Sequence, residues 1–519
     1  MAAKLLRARR RKVSGWITLR RGVQYAALLI FIVLFVEARS GGWPGEAANV
    51  FIRLDPLAML GNFISSHIVL AGSALALLTI ALTMAFGRAW CGWLCPLGTL
   101  LDLFSLRRLR GDRAAPRDSW RAVKYVILLT ILIAALFGNL TLMIFDPITL
   151  LYRTVSTSAW PALDQAVTTI ESALYSLPVL RPIISSFESL IRPGILPTDP
   201  AYYRDALLLA AVFMGVVALN VLAARFWCRY LCPLGGLLGL LSKFSIVRRR
   251  VSVERCTECG LCAPSCPTGT IDPDNGYASD PGECTMCLEC LDSCHRAGTK
   301  FAVAAPRVEW KQYDPGRRQL LVAFGTAITA ISLFRSDALS RRENPRLIRP
   351  PGARENDLPT KCIRCGECLR ACPTSGLQPA LVEAGLAGLW TPVLVPRLGY
   401  CDYSCNACGQ ACPVQAIPPL ALDEKRQQVI GRSYIDQNRC IAWADGRDCI
   451  VCEEMCPLPD KAIKLEEASI TREDGSVATI KRPHVVRERC IGCGICEYKC
   501  PVNGEAAIRV YVPPIDAGA

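Results

Sequence analysis

Cysteine spacing constrains this chain more than any other feature of its sequence. Of 519 residues, 28 are cysteine, and two runs of four in the middle of the chain share one spacing, C-x2-C-x2-C-x3-C. The first run is Cys256, Cys259, Cys262 and Cys266, and the second is Cys284, Cys287, Cys290 and Cys294. The chain is too long for a small disulfide scaffold, so the regular spacing itself needs a chemical reason.

This spacing fits iron–sulfur chemistry. Three thiolates on a tight loop hold one [4Fe–4S] cluster, and the fourth cysteine usually ligates the neighbouring cluster. We therefore predict that Cys294 completes the first run's cluster and that Cys266 completes the second run's cluster. Zinc sites and disulfides are the alternatives, but zinc sites seldom show repeated, evenly spaced cysteines followed by proline.

Four further runs lie beyond residue 336, and each ends in Cys-Pro. Two have the standard spacing, and the two between them have a wider first gap. The runs are Cys362, Cys365, Cys368 and Cys372; Cys401, Cys405, Cys408 and Cys412; Cys440, Cys449, Cys452 and Cys456; and Cys490, Cys493, Cys496 and Cys500. We predict about six [4Fe–4S] clusters in all. We also predict a nested exchange in this part, the first run with the fourth and the second with the third.

The last four cysteines belong to an internal repeat. Cys91 and Cys95 lie in WCGWLCPLG, Cys228 and Cys232 lie in WCRYLCPLGG, and the two segments are offset by 137 residues. Because residues before proline disfavour helix, Cys95 and Cys232 should each end a helix. The four thiols could converge on a seventh metal or iron–sulfur centre at the interface of the two halves. Buried structural thiols or a docking surface are the alternatives.

Apolar runs indicate a membrane domain. Residues 22–36, 56–87, 125–145, 206–224 and 319–334 are long enough to span a bilayer, or nearly so, and the mean hydropathy of the chain is +0.28. Buried core helices are the alternative for the short runs. Residues 162–177 and 183–191 could form amphipathic surface helices.

Basic residues predict the orientation. They cluster in residues 4–21, 88–124 and 225–250 and are sparse in the intervening loops. The positive-inside rule then places the N-terminus and residues 225–318 in the cytoplasm, and everything after the fifth run outside. A basic N-terminus could also bind nucleic acid, but its position before a span favours the topological reading, so we expect no nucleic-acid partner.

A twin arginine stands before the fifth run. Arg317 and Arg318 precede an apolar segment, which resembles a Tat export signal, although a plain cytoplasmic flank is the alternative. Export of a folded, cluster-loaded domain would need such a route. No clear A-x-A site follows, so we expect the segment to stay as an anchor. The chain has three histidines and no C-x-x-C-H string, and we therefore predict no haem.

These motifs resemble two known families. The two CxxxCP motifs and the two middle runs, residues 15–300, resemble NapH-type membrane quinol dehydrogenases. The twin arginine, Ile348–Ala353 and the four later runs resemble NapG/MauM-type periplasmic ferredoxins. The resemblance implies an α-helical polytopic membrane domain with about five spans and α+β ferredoxin-like domains on both sides. The expected divisions are 1–250, 251–310, 311–335 and 336–519.

The resemblance also implies a function. We expect a protein of the bacterial inner membrane that passes electrons between quinone and a periplasmic redox protein or other respiratory subunits. The catalytic residues are unknown; Asp55 and Asp146, each followed by proline, could meet a quinol, but helix starts are commoner for Asp-Pro. A reductase for metalloenzyme maturation or repair, and a docking subunit of a larger respiratory complex, are the alternatives.

Overall fold

The computed structural model describes residues 15–40, 45–105, 117–192, 195–196, 201–305, 308–335, 344–471 and 477–513. The basic residues before position 15, and those between 106 and 116, lie outside these ranges. The described parts form a helical bundle and two cysteine-rich domains built from short helices and two-stranded sheets.

The bundle occupies the first half of the chain, and its helices form from the apolar runs. Proline begins several of them, because the first helical N–H has no partner within the helix. The helices are α1 (Gly15–Ser40), α2 (Gly45–Ala48), α3 (Val50–Arg53), α4 (Pro56–Ser66), α5 (Ala74–Phe86), α6 (Pro96–Leu103), α7 (Ala122–Leu136), α8 (Pro147–Thr154), α9 (Trp160–Tyr175), α10 (Arg181–Ile191), α11 (Ala206–Ala218) and α12 (Pro233–Ser242). Helices α9 and α10 cover the two segments predicted as amphipathic helices.

The first cysteine-rich domain follows α12, and we call it the inner domain. Strand β1 (Val247–Val251) pairs antiparallel with β4 (Thr299–Val303), and β2 (Ile271–Asp272) pairs with β3 (Ala278–Ser279). The short helices α13 (Cys262–Ser265) and α14 (Glu289–Ser293) carry cysteines of the two runs. The pairing of β1 with β4 therefore joins Val247–Val251 to this domain.

Only part of the predicted membrane pattern meets a test of helix length and composition. Two described helices, Gly15–Arg39 and Asp118–Leu136, are long and apolar enough to cross a membrane. The run 125–145 is not one helix, since α7 ends at Leu136 and Gly138 adopts a positive φ of 70°. The fifth run forms α15 (Arg317–Arg335), which packs along α7 with Thr130 and Thr326 hydroxyls 2.8 Å apart.

The second cysteine-rich domain, which we call the outer domain, contains the remaining elements. Its hydrophobic clusters are small and consist partly of the cysteines themselves, so its stability depends on what those cysteines hold. The elements are α16 (Leu358–Lys361), α17 (Glu367–Ala371), β5 (Leu377–Pro379), β6 (Pro392–Leu394), α18 (Ala407–Gln410), α19 (Leu422–Gln427), β7 (Arg432–Ile435), α20 (Ile441–Ala444), α21 (Val451–Glu454), β8 (Ile463–Thr471), β9 (Val477–Val485), α22 (Ile495–Lys499) and β10 (Ile508–Tyr511). Antiparallel pairs join β5 to β6, β7 to β10 and β8 to β9.

The two domains pack at opposite ends of the bundle. The inner domain contacts the start of α7, where Lys124 pairs with Glu283. The outer domain contacts the segment after α7, where the Leu140 amide donates to the Pro359 carbonyl over 2.9 Å. One helix thus connects the two junctions, and the bundle separates the two sets of cysteine runs.

Candidate functional site

The inner domain gathers its eight cysteines into two groups of four. Cys256, Cys259, Cys262 and Cys294 line one cavity, which we call inner site 1. Cys266, Cys284, Cys287 and Cys290 line another, which we call inner site 2. The last cysteine of each run therefore completes the other run's group, and the exchange predicted from the spacing is confirmed.

The first two outer runs exchange cysteines in the same way. Cys362, Cys365, Cys368 and Cys412 line outer site 1. Cys401, Cys405, Cys408 and Cys372 line outer site 2. Strands β5 and β6 form between these runs and hold them together as one two-site unit.

The last two outer runs form a second such unit. Cys440 and Cys452 are both in electrostatic contact with Cys449 and Cys500, and we call this group of four outer site 3. Cys490, Cys493 and Cys496 lie with Cys456, which is close enough to interact with Cys493, and we call this group outer site 4. The nested exchange predicted from the sequence is wrong, because the pairing of β7 with β10 brackets the third and fourth runs and keeps them together.

The four groups that line cavities are suited to an occupant that binds thiolates. Each of the four cavities is lined by four cysteines. Burial and neighbouring thiols raise the pKa of Cys284 in inner site 2 to about 12. They do the same for Cys452 in outer site 3 and Cys493 in outer site 4. Free thiolates would therefore be unfavourable at these positions. Iron ions that ligate the sulfurs remove this penalty, since a coordinated thiol is deprotonated outright.

The four remaining cysteines come together inside the bundle, and we call this group the four-thiol pocket. Cys91, Cys95, Cys228 and Cys232 are all buried in one hydrophobic core and are in electrostatic contact. Each pair follows the same local path: a π-helical turn, Trp90–Leu94 or Trp227–Leu231, then an extended cysteine, then a helix that begins at proline. The predicted helix ends at Cys95 and Cys232 are confirmed.

Buried cations surround the four-thiol pocket in a reciprocal arrangement. Arg88 donates to the Cys228 carbonyl over 3.4 Å, and Arg225 donates to the Cys91 carbonyl over 3.0 Å. The indole N–H groups of Trp90 and Trp227, at equivalent repeat positions, are buried without a partner among the described residues. The positive charge and the unpaired indole N–H groups suit an anionic iron–sulfur cluster. The reduction potential of such a cluster depends on hydrogen bonds to its sulfur atoms.

A metal ion and an iron–sulfur cluster make different demands on the spacing of the four thiols. Among the described residues, no group of three or more Cys, His, Asp or Glu side chains is spaced to hold one ion. A cubane cluster has no such requirement, because each cysteine binds a different iron atom. That these four cysteines hold a cluster stays a prediction.

Inner site 2 lies directly against the four-thiol pocket. Trp93 Nε1 donates to the Met286 carbonyl over 2.9 Å, and a Cβ on Gly92 would collide with the Thr285 carbonyl. Glycine is therefore required between the two cysteines of the first repeat if the inner domain is to pack this closely. Residues 285 and 286 lie between two cysteines of inner site 2, so this contact joins the two cysteine groups.

A fully buried carboxylate fastens this junction. Glu283, next to Cys284, contacts Arg88, Arg121 and Lys124. Burial alone would raise the pKa of Glu283, but the three cations lower it to about 2. The sequence carries one signal for this cluster, which was not used to predict it. Arg88 and Arg225 each stand three residues before the first cysteine of their repeat.

Outer site 1 is the outer group closest to the bundle. Tyr152 donates to Glu367 over 2.6 Å, and Arg153 donates to the Arg364 carbonyl over 2.9 Å. Burial raises the pKa of Glu367 to about 8.

The Cys401 amide donates to the Cys493 carbonyl over 2.8 Å, which brings outer site 2 against outer site 4. The outer groups therefore run from the bundle in the order 1, 2, 4 and 3.

Asp55 and Asp146 take the more ordinary of their two predicted roles. Asp55 accepts from the amides of residues 57 and 58 and begins α4, and Asp146 accepts from those of residues 148 and 149 and begins α8. Both side chains are completely buried and interact with each other. Neither lines any of the cavities described here.

Comparison with known proteins identifies the class. A family model described as a 4Fe-4S binding domain matches residues 68–111 and 206–254, the segments of the four-thiol pocket. A second model with the same description matches residues 250–272, 358–377 and 483–504. The chain is therefore an iron–sulfur protein of the ferredoxin type with multiple [4Fe–4S] sites.

Curated relatives identify the family. MauM of Methylorubrum extorquens, a methylamine utilization ferredoxin-type protein, is 33% identical over 40% of this chain and 94% of its own length. NapG of Escherichia coli, a ferredoxin-type protein, is 34% identical over 38% of this chain and 85% of its own length. YccM of Escherichia coli, a putative electron transport protein, is 28% identical over 53% of this chain and 68% of its own length. The chain belongs to the MauM and NapG family of ferredoxin-type proteins, and its role is iron–sulfur electron transfer. No solved structure matches it.

Proposed function

We propose that this protein carries electrons between the quinone pool of a bacterial inner membrane and a periplasmic redox partner, in the manner of a quinol dehydrogenase. Its first half would be a NapH-type polytopic domain of about five spans. The N-terminus and the inner domain would be cytoplasmic, α15 would be a retained anchor, and the outer domain would be periplasmic.

One observation carries the proposal. Two domains with grouped cysteines are attached to opposite ends of one apolar helical bundle, and a third cysteine group lies inside that bundle next to inner site 2. A soluble ferredoxin needs no such bundle between its cysteine groups. An electron carrier that serves both sides of a membrane does.

The cysteines would hold seven clusters: two at the inner sites, four at the outer sites and one in the four-thiol pocket. Bound [4Fe–4S] clusters supply one-electron transfer. The chain's own residues provide the rest: cysteine thiolates bind, buried arginines place positive charge beside the four-thiol pocket, and the apolar core around it excludes water.

Quinol oxidation is tested on the purified, cluster-loaded protein under anaerobic conditions. A short-chain quinol is added, and cluster reduction is followed by electron paramagnetic resonance and optical absorbance. We expect clusters in both domains to become reduced. Clusters that stay oxidised at every quinol-to-quinone ratio would remove the quinol dehydrogenase proposal while leaving the electron-transfer role intact.

The seventh cluster is tested by counting iron. The double variant Cys91→Ser/Cys228→Ser should lose four irons per chain and one resonance signal, with the other clusters unchanged. Equal iron content in wild type and variant would reduce the four-thiol pocket to a structural feature.

A further inference from the structure

A large cleft lies beside inner site 2 and separate from the other cysteine groups. It has a volume of about 1100 Å³ and is formed where the inner ends of α7 and α15, the inner domain and residues 308–316 meet. Ligand pockets commonly occur at such junctions and have roughly this size, about 300–1,000 Å³. The proposed electron path does not use it.

One side of the cleft is apolar and opens between two helices of the bundle. Ala122 and Val126 of α7 and Val322 of α15 line this side. On the outward surface of α15, Leu321 and Phe324 are exposed, as expected for a helix in contact with lipid. A molecule dissolved in the bilayer could therefore enter at the inner ends of α7 and α15, below the level at which the two helices pack together.

Most of the remaining lining is polar, and it includes a predicted cluster ligand. Tyr313 donates to Asp280 Oδ2 over 2.5 Å, and Asp280 Oδ1 accepts from the Gly282 amide over 2.8 Å. Cys284, a member of inner site 2, also lines the cleft. The cleft thus combines an apolar patch, hydrogen-bonding groups and contact with a predicted electron carrier.

We propose that this cleft binds the headgroup of a quinone beside inner site 2. The inference rests on the proposed function and locates its substrate on the inner side. A quinone has an apolar ring with two polar oxygens, which matches the apolar patch and the polar lining of the cleft. Oxidation of a quinol there releases two electrons, one to the centre at each inner site, and two protons, which pass to water in the cleft.

Basic residues also border the cleft, and they define the competing occupant. Arg248, Arg250 and Arg318 are among its lining residues. These side chains could hold the phosphate of a lipid headgroup. Contact with Cys284 and the Tyr313–Asp280 pair favours a redox-active ligand instead, and the experiment separates the two.

Binding is tested by photo-crosslinking. The full-length holoprotein in nanodiscs is irradiated with a short-chain azidoquinone, and labelled peptides are mapped by mass spectrometry. Label is expected on peptides that contain residues 118–126 and 308–322, and excess unlabelled quinone should remove it. Label found only elsewhere, label that unlabelled quinone does not displace, or label displaced fully by anionic phospholipid alone would overturn the assignment.

A matched pair of variants on α15 sharpens this test. Val322→Trp fills the apolar entrance and should abolish labelling of the cleft. Leu321→Trp adds the same side chain to the neighbouring position, which does not line the cleft, and should leave labelling unchanged. Equal labelling in both variants would contradict the proposed entrance.

A second readout separates this inference from the proposed function. In a Cys284→Ser/Cys287→Ser variant, quinol should no longer reduce the outer clusters, whereas dithionite should still reduce them. Outer clusters reduced by quinol at the wild-type rate would overturn the inner location and leave the proposed function standing. Failure of quinol to reduce any cluster in the wild type would instead remove the proposed function, and the crosslinking result would then stand alone.

Discussion

At the inner end of the bundle, three buried cations meet one buried carboxylate, whereas the outer end is joined mainly by side chains that bind backbone carbonyls. Glu283 contacts Arg88, Arg121 and Lys124 at the inner junction. At the outer junction, Asn62 donates to the Lys361 carbonyl over 3.0 Å. Many separate contacts at the outer junction replace one shared charged centre at the inner junction.

The outer junction also depends on aromatic rings. Arg370 lies over Phe35 at 4.5 Å and over Trp160 at 5.2 Å, and Arg153 lies over Trp390 at 4.1 Å. These cations lie beside cysteine groups, where bound clusters would add negative charge. The inner junction should therefore fail when one charge is removed, and the outer junction should lose stability in smaller steps.

The largest effect is expected from Glu283→Gln. Loss of the carboxylate removes the acidic partner that three buried cations share, and breaking a buried ion pair costs about 3–5 kcal/mol. We expect the inner domain to become sensitive to protease and to lose its iron, while the outer domain keeps both. Limited proteolysis and iron analysis in detergent measure this.

A matched control for that variant is Glu383→Gln. Glu383 pairs with Arg204 over 3.3 Å at the outer junction, where both side chains are partly exposed. Its loss should leave the iron content and the protease pattern unchanged. A Glu283→Gln protein that behaves like this control would show that the inner junction does not depend on charge.

A smaller effect is expected from Tyr152→Phe at the outer junction. The change removes the 2.6 Å hydrogen bond to Glu367 and leaves a buried carboxyl without its donor, which costs about 1–3 kcal/mol. Denaturant unfolding, followed by the outer-domain cluster absorbance, measures the loss. Tyr203→Phe removes a weaker bond, 3.2 Å to the Leu369 carbonyl, and should cost about 0.5–1.5 kcal/mol. Equal losses of unfolding free energy in the two variants would show that the buried Glu367 carboxyl needs its donor no more than the Leu369 carbonyl does.

The parts of the site set by local spacing could be predicted from sequence. Inner sites 1 and 2 follow from two runs in one short domain, and the helix ends at Cys95 and Cys232 follow from the proline after each. The convergence of the four thiols follows from a repeat that the sequence displays. In each case the relevant residues are close in sequence or related by an exact offset.

The parts of the site that depend on contacts between distant residues could not be predicted from sequence. The exchange between Cys372 and Cys412 depends on β5 and β6 forming between their runs, and no spacing rule distinguishes it from a nested exchange. Glu283 lies 159 residues from Lys124 and 195 from Arg88, and nothing around Glu283 indicates either partner. Buried polar contacts of this kind appear only when the elements pack.

A third prediction concerns pH at the outer end. Burial, together with mutual repulsion, raises the pKa of Asp55 well above its ordinary value, and burial also raises that of Asp146. A raised carboxyl pKa stabilises the fold while the group is protonated, and that stability is lost as pH rises through the folded-state value. The contribution of this pair to thermal stability should therefore fall as pH rises from the ordinary carboxyl pKa to the raised value. Asp146→Asn, which stays neutral, should flatten this dependence; an unchanged slope in thermal unfolding would contradict the raised pKa values of the pair.

The smallest effect is expected from Arg204→Ala, which removes the exposed pair with Glu383. Exposed ion pairs contribute about 0.2–1 kcal/mol, because water and side-chain entropy offset most of the attraction. Salt screens what remains, so the difference from wild type in denaturant unfolding should shrink further at high ionic strength. Arg204 joins the bundle to the outer domain just as Lys124 joins it to the inner domain, yet Lys124 and its partner are fully buried. A loss for Arg204→Ala as large as that for Glu283→Gln would mean that charge as such, rather than buried charge, holds the two domains on the bundle.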